Sequence, residues 1–167
     1  NSFTMLQLAY ATATLANGGV QHRPHLGMAT IDAVTRERRS IEPPAPVNLG
    51  YKSEHIEAVR RAMVGVTQGG TSTRVFAGAR YVSAGKTGTA QAVTIGQKDK
   101  YNAARLQERQ RDHALYIAFA PADAPRIALA VIVENAGFGG AQAAPIARRV
   151  FDYWLLDEYP SEEDIAA

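Results

Sequence analysis

The sequence predicts an α+β fold in which an antiparallel sheet is flanked by helices. Three observations carry that expectation. Two apolar, strand-like runs, 113–120 and 126–134, are joined by a turn that starts with Pro121 and ends with Pro125, the pattern of a hairpin. A third run, 81–95, is rich in small and β-branched residues and joins the other two as a meander. Three segments with apolar residues at helical spacing, 4–17, 53–68 and 143–156, supply the covering layers.

At 167 residues, the chain is one domain or part of one. Hydrophobic residues make up 46% and charged residues 20%, a globular composition that excludes a disordered or fibrous protein. No apolar run reaches the ~18–20 residues a membrane-crossing helix needs, and no leader pattern is visible. The chain enters a helix almost directly from Asn1, so it reads as a piece of a longer protein. Cysteine is absent, which removes thiol chemistry but leaves the compartment open. The net charge of +2 conceals an acidic end: residues 157–167 carry Asp157, Glu158, Glu162, Glu163 and Asp164 and no base. We read this end as a solvated, frayed tail after a domain spanning 1–156. The basic residues are scattered and not interleaved with aromatics, so a nucleic-acid partner is not expected.

The elements follow in order. Thr4 and Gln7 form a Thr-x-x-Gln capping box behind Phe3, a staple candidate. Met5, Leu8, Ala9, Thr12, Leu15 and Ala16 then keep helical spacing until Asn17-Gly18-Gly19 stops them. His22 and His25 stand three apart, but Pro24 interrupts any helix and no third ligand is near, so no metal site is expected. Residues 26–34 and 38–41 suggest a hairpin turning at 35–37. Pro43-Pro44-Ala45-Pro46 is a stiff connector too short to separate domains. Ser53 is the expected cap of the second helix, with Ile56, Val59, Met63 and Val66 as its buried stripe. Gly69-Gly70 ends that helix, and 71–79 is read as loop. Residues 96–112 are a charged surface excursion with some helix over 102–110. In the last helix, Ile146, Ala147, Val150 and Trp154 are expected to face inward.

Function is concentrated in Tyr81–Gln91. Alternation puts Lys86, Gly88 and Ala90 on one strand face and Thr87 and Thr89 on the other. Two glycines in a strand weaken it and mark close approach of another group to the backbone. A cation, two hydroxyls and a backbone N–H on one rigid element can hold a carboxylate and an oxyanion. Three readings compete: a plain edge strand, a phosphate loop, and the Lys-Thr-Gly element of penicillin-recognising serine enzymes. The phosphate loop requires glycine where Arg80 stands and a helix after Thr87, whereas 89–95 looks like strand.

Phe3–Ala9, Leu15–Gly19, Gly69-Gly70-Thr71 and Ala84-Gly85-Lys86-Thr87-Gly88-Thr89-Ala90-Gln91 resemble the transpeptidase domain of class B penicillin-binding proteins. Arg111–Leu115, Ala118–Pro121, Val133-Glu134-Asn135 and Gly139-Gly140 are similar to the elongation-specific branch of that family. The resemblance spans almost the whole chain, up to about Leu156. It implies the C-terminal part of a penicillin-binding-protein or serine β-lactamase-like transpeptidase fold. It also implies a peptidoglycan D,D-transpeptidase acting through a serine acyl-enzyme, without cofactor. By the same resemblance, Lys86 supplies positive potential at the serine and Thr87 and Thr89 bind the substrate carboxylate. The Thr89 N–H is then an oxyanion donor, and Gly88 leaves room for the acyl group. The implied partners are stem peptides and β-lactams, the upstream half of the same domain, and an elongation machinery that includes a membrane glycosyltransferase. The implied location is the periplasmic face of the bacterial inner membrane, with the anchor upstream.

This chain departs from the family pattern. It contains no Ser-x-Asn. Ser83-Ala84-Gly85-Lys86 fits Ser-x-x-Lys only in letters, because that motif needs a helix start while a strand sends positions 83 and 86 to opposite faces. The nucleophile is therefore expected upstream of Asn1 and the fragment alone is expected to be inactive. The alternatives are a D,D-carboxypeptidase or serine β-lactamase of the same fold, or a non-catalytic binding or scaffold domain. Finding Ser-x-x-Lys and Ser-x-Asn upstream would separate enzyme from scaffold.

Overall fold

The computed structural model describes residues 2–92 and 106–162. Its centre is a three-stranded antiparallel sheet of β5 (Ala84–Ala90), β6 (His113–Ala120) and β7 (Ile127–Val133), in the order β5-β6-β7. Thr87 lies opposite Tyr116, and Tyr116 opposite Val131. The predicted meander is present, with β5 shorter at its start than expected. Tyr81, Val82 and Ser83 precede the strand, and the part of the expected strand beyond Ala92 lies outside the described residues.

Two helices cover one face. α1 (Met5–Ala16) begins at Thr4 with the predicted capping box: the Gln7 N–H donates to Thr4 Oγ1 and the Thr4 N–H donates to the Gln7 side chain. Phe3, the staple candidate, is exposed. α1 packs on β6 and β7, while α2 (Ser53–Gln68) packs on β5. Ala16, Met63, Ala84 and Phe119 are buried together between these layers. Lys52, not Ser53, is the cap position of α2 and makes no side-chain cap bond. Ile56 and Met63 of the expected stripe are buried, Val66 is half-buried and Val59 is exposed.

α4 (Gly139–Leu156) covers the opposite face. It starts four residues before the expected Ala143 and buries Ala143, Ala144, Ala147 and Phe151. Only Ala147 of the expected inward set is fully buried. Trp154 is 58% exposed, and Ile146 and Val150 are more than a third exposed. The reason is proximity: α4 lies so close to the sheet that alanines and Phe151 form its contact stripe, and Ile146, Val150 and Trp154 turn outward.

Smaller pieces complete the fold. β1 (Val20–Gln21) pairs with β4 (Val47–Asn48), a pairing of two residues a side that periodicity could not reveal. β2 (Ala29–Ile31) pairs with β3 (Arg38–Ser40) as the predicted hairpin, over fewer residues than expected. In its turn the Asp32 carboxylate accepts from the Thr35 and Val34 N–H groups, which holds its pKa below the ordinary value. The expected loop 71–79 contains a short helix, α3 (Thr73–Phe76). Of the charged excursion, Glu108–Gln110 forms one 3₁₀ turn, and most of the expected helix over 102–110 lies outside the described residues. At the start of the acidic end, Glu158 pairs with Arg80, and the Tyr159 ring meets Tyr153 edge-on.

Candidate active-site cleft

β5 is an edge strand, and along it runs a cleft of about 880 Å³. Three segments make its walls: Lys86–Thr89 of β5, Gly69–Val75 around α3, and Phe138–Ala141 at the start of α4. The four residues singled out in the sequence, Lys86, Thr87, Gly88 and Thr89, all line it. They stand together because they are consecutive on one strand whose edge is open to the cleft.

The two faces of β5 divide the chemistry as expected. Lys86 lies opposite Ile117, on the α1–α2 side, and Thr87 lies opposite Tyr116, on the α4 side. Lys86 is exposed, and its Nζ donates to the carbonyl of Thr87 at 2.7 Å. The Thr87 hydroxyl meets that of Thr71 at 2.9 Å. Thr89 is also exposed, two positions further along the strand.

Glycines set how closely the walls meet. A Cβ on Gly85 would lie 2.1 Å from the Tyr116 hydroxyl. A Cβ on Gly139 would lie 2.1 Å from the Leu115 carbonyl and 2.6 Å from that of Gly88. Gly85 therefore admits the buried tyrosine beneath the strand, and Gly139 seats α4 directly on the sheet backbone. The Tyr116 hydroxyl bonds Ser72 Oγ at 3.0 Å, and burial raises the phenol pKa. Consecutive hydroxyls thus fix the second wall: Ser72 inward to Tyr116, Thr71 outward to Thr87.

The cleft is electropositive. Among the described residues, Lys86 and Arg74 line it and no carboxylate does, and the first-turn amides of α4 add partial positive charge. Its chemistry suits a carboxylate and a developing oxyanion. The role of Arg74 was not legible in sequence, because α3 reaches the strand only through the tertiary fold. Thr71 carried a signal in the Gly-Gly-Thr run that ends α2.

Ser83 is buried and does not line the cleft, and its carbonyl accepts from Thr67 Oγ1 at 2.7 Å. The phosphate-loop reading fails because β5 continues to Ala90 where a helix would be needed. His22 and His25 are exposed, with His25 Nδ1 2.9 Å from the Gly27 carbonyl. No cluster of three metal-ligating side chains occurs among the described residues. None of their helices is long and apolar enough to cross a membrane.

A glycine-backed lysine strand on the open edge of this sheet, with helices on both faces, defines a class. Residues 2–152 match the model of the penicillin binding protein transpeptidase domain, and the chain belongs to that family. More particularly, it is similar to peptidoglycan D,D-transpeptidases. It is 48% identical to the peptidoglycan D,D-transpeptidase MrdA of Acinetobacter baumannii, over 92% of this chain and 22% of that protein. The Pseudomonas aeruginosa PBP2 structure in complex with WCK 5153 aligns with TM-score 0.69 and 38% identity, covering 97% of this chain and 31% of that one. The imipenem acyl-enzyme of penicillin-binding protein A from M. tuberculosis aligns with TM-score 0.71 and 33% identity, over 92% and 31% of the two chains. The chain spans 22–25% of the length of the curated relatives named MrdA in A. baumannii, Haemophilus influenzae and Escherichia coli.

Proposed function

We propose that this chain is the Lys-Thr-Gly half of a peptidoglycan D,D-transpeptidase site, acting in cell elongation and taking β-lactams as substrate mimics. The observation that carries the proposal is the assembly of Lys86, Thr87, Gly88 and Thr89 on the edge of one cationic cleft. Names of the relatives support it: D,D-transpeptidases in sequence, and β-lactam acyl-enzymes among the solved structures.

In this mechanism, a serine from the upstream half of the domain attacks the penultimate D-alanine carbonyl of a stem peptide. The peptide C–N bond breaks, and the terminal D-alanine leaves as its amine after taking a proton. An amine from a second stem then attacks the ester, forms the cross-link and returns the proton to the serine. Lys86 supplies positive charge beside the serine. Thr87 and Thr89 hold the terminal carboxylate, the Thr89 N–H donates to the oxyanion, and Gly88 leaves space for the acyl chain. The upstream half also covers the α1–α2 side, where Phe3, Leu6 and Val59 are exposed. A periplasmic location, an upstream membrane anchor and a membrane glycosyltransferase partner complete the proposal.

The test is covalent labelling by a fluorescent penicillin. The full-length protein is expected to label, and residues 1–167 alone are not. An adduct on the isolated chain would overturn the placement of the nucleophile upstream. In the full-length protein, Lys86→Ala is expected to slow acylation roughly 10- to 100-fold, the loss of one charge-assisted contact worth about 1.5–3 kcal/mol. Lys86→Arg should rescue it only partly, because a planar fork does not replace a compact ammonium beside two glycines. Thr87→Ser keeps the hydroxyl and should be milder. A plain edge strand would leave all three variants silent in acylation.

A further inference from the structure

Among the described residues, the proposed mechanism uses one of two cations that line the cleft. Lys86 faces the reacting end, while Arg74 of α3 has no role in it. Arg74 is exposed, lines the same cleft, and makes no ion pair or hydrogen bond among the described residues. Among the described residues, no acidic side chain lines the cleft to neutralise it.

Its side chain has no partner among the described residues, while its backbone is held on several sides. Ser72 Oγ bonds the Tyr116 hydroxyl and the Val66 carbonyl. A Cβ on Gly70 would meet Val66 Cα at 2.8 Å, and one on Gly140 would meet the Thr71 carbonyl at 2.7 Å, so the segment is wedged between α2 and α4. Immediately after it, Arg148 Nη1 of α4 donates to the Val75 carbonyl at 3.1 Å. A fixed backbone keeps this guanidinium at the cleft wall, and its planar fork matches a carboxylate bidentately.

We propose that Arg74 forms a second anion subsite in this cleft, selecting ligands with a further carboxylate beyond the one held at Lys86, Thr87 and Thr89. The ligand class is an acidic peptide that carries a side-chain or branch carboxylate ahead of its reacting end. This deepens the transpeptidase reading and rests on it.

Benzylpenicillin and carbenicillin provide the probe, because they differ by one carboxylate on the acyl side chain while sharing the ring carboxylate. Second-order acylation constants would be measured on the full-length protein, on Arg74→Gln and on Arg74→Lys. The expected result is that Arg74→Gln lowers the carbenicillin-to-benzylpenicillin ratio about tenfold, the effect of losing one charge-assisted contact. Arg74→Lys recovers part of the ratio, since it keeps the charge and loses the fork. Added salt lowers the ratio for the unmodified protein and not for Arg74→Gln. A ratio unchanged within about twofold in Arg74→Gln overturns the subsite while leaving the transpeptidase reading in place, as does an equal loss for both penicillins. If neither penicillin acylates the unmodified protein, the transpeptidase reading fails and the subsite falls with it.

Discussion

The two faces of the central sheet are built differently. On the α4 face, Tyr116, Phe151, Ala143, Ala144 and Ala147 are completely buried, and Phe76 and Tyr81 pack around them. The aromatic rings form a connected set: Phe76 stacks on Tyr116 at 6.2 Å between centroids, and Tyr81 meets Phe151 edge-on at 6.1 Å. On the α1–α2 face the buried set is Ala16, Met63, Ala84 and Phe119. That core thins toward the cleft, since Ile117 is only partly buried and Lys86, next along the same face of β5, is exposed. One face is closed by this chain's own side chains. The other is closed at one end and opens where the chemistry is proposed, the arrangement expected of a rigid support behind a site that must admit substrate.

The largest expected effect tests the closed face. Phe151→Ala removes a ring with no exposure from the middle of the α4 core and should cost about 3–5 kcal/mol. Val59→Ala, on the outer side of α2 at 46% exposure, should change stability by less than about 0.5 kcal/mol. Chemical denaturation of the purified protein would compare them, and equal losses would mean that the faces are equally closed.

A smaller effect is expected where the closed face meets the cleft wall. Ser72→Ala deletes the partner of the buried Tyr116 hydroxyl and should cost about 1–3 kcal/mol. It should also loosen the Thr71–Thr87 contact, because the two hydroxyls come from consecutive residues. Amide exchange of 70–76 would read that loosening. Protection unchanged there, with stability lost, would separate the cleft wall from the core beneath it.

The central sheet was legible in the sequence because each strand is an apolar run with a turn beside it. α1 was legible through its capping box. The orientation of α4 was not. Hydropathy favours Ile146, Val150 and Trp154 as the inward stripe, but the spacing between helix and sheet admits only alanines and Phe151, and spacing is a tertiary property. The start of α4 was hidden for a related reason: Gly139-Gly140 reads as a helix breaker, while here the glycines let the first turn touch the backbone of β5 and β6. The site divides in the same way. Lys86, Thr87, Gly88 and Thr89 are contiguous, so one motif showed them all. Arg74 enters the cleft only because Ser72, Gly70 and Arg148 hold α3 against the sheet.

The smallest expected effect distinguishes the faces by pH. On the closed face, burial first, and then the hydrogen bond its hydroxyl donates to Asp152 Oδ1 at 2.7 Å, raise the Tyr81 pKa above its ordinary value. Arg148 completes the group: its Nε donates to both Asp152 oxygens, at 2.9 and 2.6 Å. A phenol whose pKa is raised on folding contributes stability that is fully present below the unfolded pKa of about 10 and is lost as pH rises toward the folded value. The unfolded chain then releases a proton that the folded chain retains, which favours unfolding. At neutral pH, Tyr81→Phe should cost about 1 kcal/mol for the half-buried hydrogen bond. Above pH ~10 the unmodified protein should lose stability faster than the variant, so the difference narrows. A residual alkaline slope should remain in Tyr81→Phe, because Tyr116 is also buried and raised on the same face. Urea titrations at pH values on either side of the tyrosine range would measure both slopes. Parallel slopes for the two proteins would show that Tyr81 ionises alike in the folded and unfolded chains, and the closed face would then lose its claim to the pH dependence.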